Sequence, residues 1–400
     1  MDATDIFTDA ERSIIRLVDL IVEKAYHARA SDVHIDPRVD SLCVRLRVDG
    51  AMRDAYTLPI AIHAEVISRI KILSGLRIDE HYGAQDGRFR AQIASGQSID
   101  VRVSVVPTYY GENAVLRLLS DVAAEFSLQS LGFTASNGTK ILRALKRPYG
   151  MMLATGPTGS GKTTSMYTLV KILNEPDVSI VTLEDPIEYS ISGISQIQVN
   201  PKTGLTFSTG LRSILRQDPN VIMVGEIRDS ETAGLAINTA LTGHRVLSTL
   251  HTNDAPTTIA RLLDMGVEPY LIASTVSIAI GQRLVRRICS ACRSDYALKD
   301  SELASIRESL SEELADTRAV FSIGRGCGAC GGTGFHGRAG IHEVMEMSAE
   351  VREAVLAKVP ASEIRAAAIR EGMTPMLTDG FQKAAQGLTT VEEILKTRYE

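Results

Sequence analysis

The sequence predicts an α/β protein built around a parallel sheet, with a smaller α+β block ahead of it. Three observations carry that reading. Between residues 150 and 251, short apolar runs alternate with stretches of helical length, the pattern of a sheet covered on both faces. A glycine-rich segment, "GPTGSGKTT" (156–164), joins the first of those strands to the first of those helices. Before residue 120, strand-like and helix-like segments mix without strict alternation. A chain of 400 residues has room for two or three such units.

Taken in order, residues 10–32 place Ile14, Ile15, Leu17, Val18, Ile21 and Val22 at helical spacing. "DVHID", "CVRLRVDG" and "AMRDAYTLP" then alternate like strands, with turns at Asp-Gly. A helix over 61–76 ends near a glycine. "GRFRAQI", "SIDVRVSVVPT" and "ENAVLRLL" complete an α+β domain over 1–120, and 121–139 reads as a linker. The α/β core follows over 140–285, with strands at 150–156, 178–185, 221–227 and 245–251 and helices at 162–173, 209–219 and 230–243. Residues 286–340 form a block rich in glycine and cysteine, and 341–400 reads as mainly helical.

Composition excludes several classes. The net charge of −5 gives no global basic field for a phosphodiester backbone, so nucleic acid is not an expected partner. The longest apolar candidate, "PYLIASTVSIAIG" (269–281), falls short of the roughly 20 residues of a spanning helix and is broken by Ser and Thr. The acidic, polar N-terminus is wrong for a secretory signal, so the chain reads as soluble and cytoplasmic.

In "GPTGSGKTT", Gly156, Gly161, Lys162 and Thr163 match Gly-x-x-x-x-Gly-Lys-Thr, with Pro157, Thr158, Gly159 and Ser160 between them and Thr164 after. The glycines let backbone N–H groups converge on one anion, and the helix that follows adds its positive end. Lys162 can neutralise the β- and γ-phosphates of ATP, and the Thr163 hydroxyl can ligate Mg²⁺. Such a site also needs a carboxylate on a neighbouring strand. Two strands end in acids: Glu184 and Asp185 in "TLEDPIEY", and Glu226 in "VIMVGEIRD". His244 and His251 bracket the next strand and are candidate γ-phosphate sensors.

Cys289 and Cys292 form one Cys-x-x-Cys, and Cys327 and Cys330 another, with residues 293–326 between. Four thiolates in two such pairs suit a closed, structural Zn²⁺ site better than a redox pair. A helix over 301–317 can fill the insert, and "GCGACGGTGFHG" supplies glycines for a tight turn. Cys43 lies in an alternating strand and reads as core.

With these residues in view, the chain resembles the assembly ATPases of type II secretion and type IV pilus systems. The resemblance runs through "SDVHIDP", "QDGRF", "DVRVSVVPT", "GPTGSGKTT", "LEDPIEY", "QVNPKTGLTF", "LRQDPNVIMVGEIRD", "ALTGHRVLSTLHTNDA", "RLLDMGVEP" and "QRLVRRIC". It implies a PAS-like α+β domain ahead of a RecA-like P-loop ATPase domain, a small zinc-binding module, a helical C-terminal region, and six protomers in a ring. It makes "TLEDPIEY" an Asp box, "VIMVGEIRD" an atypical Walker B and "TGHRVLSTLH" a His box. Glu226 is then the Walker B carboxylate working with Mg²⁺ and water, and Glu184 the second acid, with the choice of general base open. Arg88 and Arg102 of a neighbouring copy are expected to close over the γ-phosphate, with Arg90 and Arg117 as further candidates. The four cysteines fit assembly rather than retraction motors. The expected partner is the cytoplasmic side of a polytopic inner-membrane platform protein, and association with the inner membrane runs through partners. Many relatives carry a further N-terminal docking domain. The resemblance begins almost at Met1, so that domain is expected to be missing or removed. A nucleic-acid translocase and a nucleotide-gated scaffold without turnover are the rival readings. The absence of Trp and an aromatic share of 5% speak against the first, and the intact Lys162, Thr163, Glu184 and Glu226 against the second.

Overall fold

The computed structural model describes residues 13–94, 96–119, 126–309 and 321–398. They form two compact units, Met1–Ala124 and Glu125–Glu400.

The first unit opens with α1 (Ile14–His27), which buries Leu17, Val18, Ile21, Val22 and Ala25 and leaves Ile15 exposed at the margin of the stripe. Then come β1 (Ala30–Pro37), β2 (Ser41–Val48), β3 (Ala51–Pro59), α2 (His63–Leu73), β4 (Gln85–Gln92), β5 (Ser98–Thr108) and β6 (Gly111–Leu119). The strands make one antiparallel sheet in the order β3-β2-β1-β6-β5-β4. Alternate residues such as Val101, Val103 and Val105 turn inward, as a one-sided sheet requires. Cys43 is buried in β2, as core.

The second unit is built on a seven-stranded sheet. Its elements begin with α3 (Ala135–Leu145), β7 (Gly150–Thr155), α4 (Lys162–Leu173), β8 (Ile180–Glu184), β9 (Ser195–Gln198), α5 (Phe207–Ile214) and β10 (Val221–Val224). They continue with α6 (Ser230–Leu241), β11 (Arg245–Leu250), α7 (Ala255–Asp264), α8 (Pro269–Thr275) and β12 (Val276–Ile288). The strand order is β15-β12-β7-β11-β10-β8-β9, where β15 is Phe335–Glu346. All neighbours pair in parallel except β12 and β15. Each face has its own apolar cluster: Ile222 and Val224 lie in one, Val221 and Met223 in the other. That split is the period of a strand buried on both sides.

Two strands differ from the sequence reading. The apolar stretch 269–281 divides into α8 and the start of β12, and "FHGRAGIHEVME", read as the seam between the cysteine block and a helical tail, is β15. Residues 339–345 of β15 are buried on both faces, so they show no alternation to mark a strand. Past β12, β13 (Arg293–Tyr296) pairs with β14 (Phe321–Gly324), with α9 (Asp300–Ser309) between them. The rest of the helix expected over 301–317 lies outside the described residues. The C-terminal stretch is helical: α10 (Ala349–Leu356), α11 (Ala361–Arg370), α12 (Met376–Ala385) and α13 (Val391–Lys396).

Candidate active site

The register puts Thr155, Leu183 and Glu184, Val224 and Leu250 at one edge of the sheet, the carboxyl ends of the parallel strands. Ligands of open α/β sheets bind at that edge. The loop Gly156–Gly161 leaves β7 there and enters α4 at Lys162. Gly156 (φ 147°) and Gly161 (φ 88°) adopt conformations that only glycine takes without strain. They are also sterically required. A Cβ on Gly156 would lie 2.4 Å from the Gln282 carbonyl oxygen, and one on Gly161 would lie 2.8 Å from Gln282 Nε2.

Lys162 is buried, and its ammonium donates to the carbonyls of Gly156 (2.7 Å) and Pro157 (3.0 Å). Burial pushes its pKa down to about 8, with Glu226 opposing the shift and Arg283 adding to it. The buried Ser160 hydroxyl finds no partner among the described residues. Thr158, Gly159 and Thr163 are exposed, while Pro157 and Thr164 are half-buried. A cationic group and a buried hydroxyl in a cradle that admits no Cβ fit a phosphate chain.

The two acids differ sharply. Glu184 ends β8 and is buried. One of its oxygens accepts from the Tyr167 phenol. The other accepts from the Thr182 hydroxyl and from Gln196 Nε2 at 3.2 Å. Burial and the Glu184 carboxylate together raise the Tyr167 phenol far above its usual range, so Tyr167 stays a donor. Tyr189 packs edge-on against it at 4.7 Å. Glu184 thus has both oxygens engaged inside the fold.

Glu226 follows β10, and the turn it sits on is fixed by β11. Thr249 donates its hydroxyl to the Gly225 carbonyl (2.8 Å), and Ile227 N–H donates to Thr249 O (2.9 Å). One Glu226 oxygen accepts from Arg228, and the other is 3.1 Å from His251 Nε2. Arg228 is also 3.7 Å from Asp185, and the hydrogen bond it donates to Glu226 raises its pKa. The residue after His251 is tied to the end of β7: Thr252 N–H donates to Thr155 Oγ1 (3.0 Å), which donates to Thr252 O (2.7 Å). Glu226, His251, Asp185 and Arg228 therefore gather at the sheet edge that carries the loop.

The two histidines do not act as a pair. His244 precedes β11, its ring meets the Thr239 carbonyl at 3.2 Å, and its own carbonyl accepts from Gly150 N–H at the start of β7. It sits at the opposite edge of the sheet, roughly 20 Å away along a six-residue strand. Within this chain the two candidate histidines therefore stand apart, His251 at the edge that carries the loop and His244 at the other.

In the first unit, Arg88, Arg102 and Arg117 lie directly opposite one another across β4, β5 and β6 and so share one face. Arg117 donates to Asp32 at 2.9 Å and Arg90 to Asp100 at 3.1 Å. Asp32 stands opposite Arg117 on β1 and offsets part of the charge of this row.

The four cysteine sulfurs lie within 4.8 Å of one another. Cys289–Cys327 and Cys292–Cys330 are each 3.9 Å apart and Cys327–Cys330 is 3.8 Å. A tetrahedron with Zn–S bonds of about 2.3 Å has edges of about 3.8 Å. Burial works against the Cys330 thiolate, but the amides of Cys327 and Gly334, both 3.2 Å from its sulfur, hold its pKa down to about 6. The donor set and spacing fit Zn²⁺.

Several site residues had little signal in the sequence. Tyr167, Thr182 and Gln196 hold Glu184, and Gln282 contacts the loop, yet none belongs to a phosphate motif. Arg228 was open to inference, since it stands two residues beyond Glu226 in "GEIRD".

The same chain can be set beside known proteins. The family described as type II/IV secretion system protein matches residues 8–396. Type II secretion system protein E of Xanthomonas campestris pv. campestris is 47% identical over 387 residues, 97% of this chain and 68% of that protein. The type IV pilus assembly ATPase PilB of Thermus thermophilus is 45% identical over 390 residues, 98% of this chain but 43% of that protein. Type II secretion system protein HxcR of Pseudomonas aeruginosa is 44% identical over 396 residues, 99% of this chain and 80% of that protein. Among solved structures, the Legionella pneumophila ATPase DotB matches with a TM-score of 0.67 at 22% identity, covering 95% of this chain and 94% of that one, and shows the same fold. The pilus retraction motor PilT with bound ADP matches with a TM-score of 0.64 at 25% identity, over 94% of this chain and 95% of that one. Motif, sheet edge and comparison converge: the chain belongs to the type II/IV secretion system protein family.

Proposed function

We propose that this chain is a motor ATPase that hydrolyses ATP to drive assembly of a pseudopilus or pilus in a type II secretion or type IV pilus system. The observation that carries the reading is the convergence, at one sheet edge, of the Lys162 loop with Glu226 and His251. Relatives named as secretion protein E and as the pilus assembly ATPase PilB support assembly as the direction of work.

The loop amides and Lys162 hold the phosphates. A water attacks the γ-phosphorus, the bond to the β-bridging oxygen breaks, and ADP and phosphate leave. Glu226 takes the proton of that water. Its partners Arg228 and His251 are exposed, so a water can reach it, whereas Glu184 is buried among Tyr167, Thr182 and Gln196; that difference supports Glu226 as the base. His251, 3.1 Å from Glu226, orients the carboxylate. Thr163 and Glu226 would hold Mg²⁺, which supplies positive charge at the β- and γ-oxygens when bound. Arg88 and Arg102 supply further positive charge to the γ-phosphate of another copy in a homo-hexamer, a role that the resemblance assigns and that the arginine row of the first unit supports. Cys289, Cys292, Cys327 and Cys330 hold a structural Zn²⁺. Among the described residues no helix is long and apolar enough to cross a membrane. The partner is the cytoplasmic side of an inner-membrane platform protein, as the resemblance implies.

Steady-state phosphate release from the assembled protein tests the reading. Lys162→Ala and Glu226→Gln should each lower kcat by about 100-fold or more. Unchanged turnover in both would refute it.

A further inference from the structure

Gln282 is 2% exposed and sits on β12, one residue past Gly281, which pairs with Thr155 at the end of β7. Its side chain is fully engaged. Nε2 donates to the Ser160 carbonyl at 2.7 Å, and Oε1 accepts from the Ser165 hydroxyl on α4 at 2.8 Å. Ser160 and Ser165 are themselves buried. The same residue sets both glycine requirements of the loop, through its backbone oxygen at Gly156 and its amide nitrogen at Gly161. One glutamine on a strand remote in sequence thus contacts the loop at its start, its end and the helix beyond.

The geometry has a directional consequence. In a planar trans peptide the C=O and the following N–H point opposite ways. Pinning the Ser160 carbonyl outward against Gln282 therefore turns the Gly161 N–H toward the concave side of the loop, where a phosphate must be met. Left alone, a peptide flanked by glycine at φ 88° can rotate at little cost. The Ser160 carbonyl can only accept, so the NH₂ of Gln282 rather than its oxygen faces the loop, and the Ser165 hydroxyl donates to that oxygen.

We propose that Gln282 is a positioning residue for nucleotide binding: it locks the Ser160–Gly161 peptide with its N–H directed at the phosphate chain. This rests on the reading of residues 156–164 as a phosphate loop. The test is the Kd of a fluorescent ADP analogue, together with KM and kcat for ATP, in the full-length assembled protein. Gln282→Met keeps the length of the side chain and removes both hydrogen bonds. Gln282→Glu keeps the acceptor for Ser165 and loses the donor to Ser160. Both should raise Kd and KM by about tenfold, the worth of one buried hydrogen bond, with a smaller change in kcat. A merely structural role would lower the melting temperature and leave Kd alone, so a Kd within twofold of the parent in either folded variant overturns the proposal. If Gln282→Met does not fold, Gln282→Glu decides. Lys162→Ala separates the two readings: if it binds the analogue as well as the parent does, the phosphate loop itself is wrong.

Discussion

Lys162 loses its charge at a pH where an ordinary lysine keeps it, because burial outweighs the pull of Glu226. An anion in the loop favours the charged form. Nucleotide affinity should therefore be full well below pH 8 and fall as pH rises through about 8, by up to about tenfold per unit, a trend that titration of a fluorescent ADP analogue would follow. Flat affinity to pH 9.5 would mean that Lys162 keeps its charge there and that burial does not depress it so far. The two acids part company at the same scale. Glu226→Gln should abolish turnover with the unfolding midpoint unchanged. Glu184→Gln should instead cost about 1–3 kcal/mol in a urea titration, because its NH₂ would face the donors Tyr167, Thr182 and Gln196. Sequence put both glutamates at strand ends and could not separate them. What distinguishes them is supplied by side chains from other elements, and no periodicity announces Tyr167 or Gln196 as partners of Glu184. His244 lies apart from His251 for a simpler reason: a strand separates them, and the two ends of a strand are opposite edges of the sheet.

Strands whose apolar run is unbroken and bounded by turn or motif residues were legible, even when buried on both faces. β7, α4, β8, β10 and β11 follow the runs the sequence marks, whereas β15 hides within "AGIHEVM" because the buried His342 and Glu343 interrupt its apolar run. The cysteine pairs were legible as a pair of pairs, since two Cys-x-x-Cys turns need only come together to make a tetrahedron. The assembled protein should hold one zinc per chain by elemental analysis. Removing it with a strong chelator should raise amide hydrogen exchange over residues 289–296 and 321–335 first. Uniform exchange before and after, or no zinc, would deny the cluster a structural role.

For the whole molecule, the question is whether one chain can complete its own chemistry. Arg88 and Arg102 belong to the first compact unit and Lys162 to the second. If the arginines serve another copy, Arg102→Ala and Lys162→Ala should each be inactive alone, and a mixture of the two should recover measurable phosphate release. Mixing that never restores activity would place the arginines outside the reaction. Finally, β12 spans Val276 to Ile288, with register shifts at Val276/Ile278 and Arg286/Ile288, and delivers Cys289 seven residues, roughly 23 Å, beyond Gln282. A cobalt ion in place of zinc would then act as an optical gauge at the far end of the same strand, and its visible absorption should register when the near end grips a nucleotide.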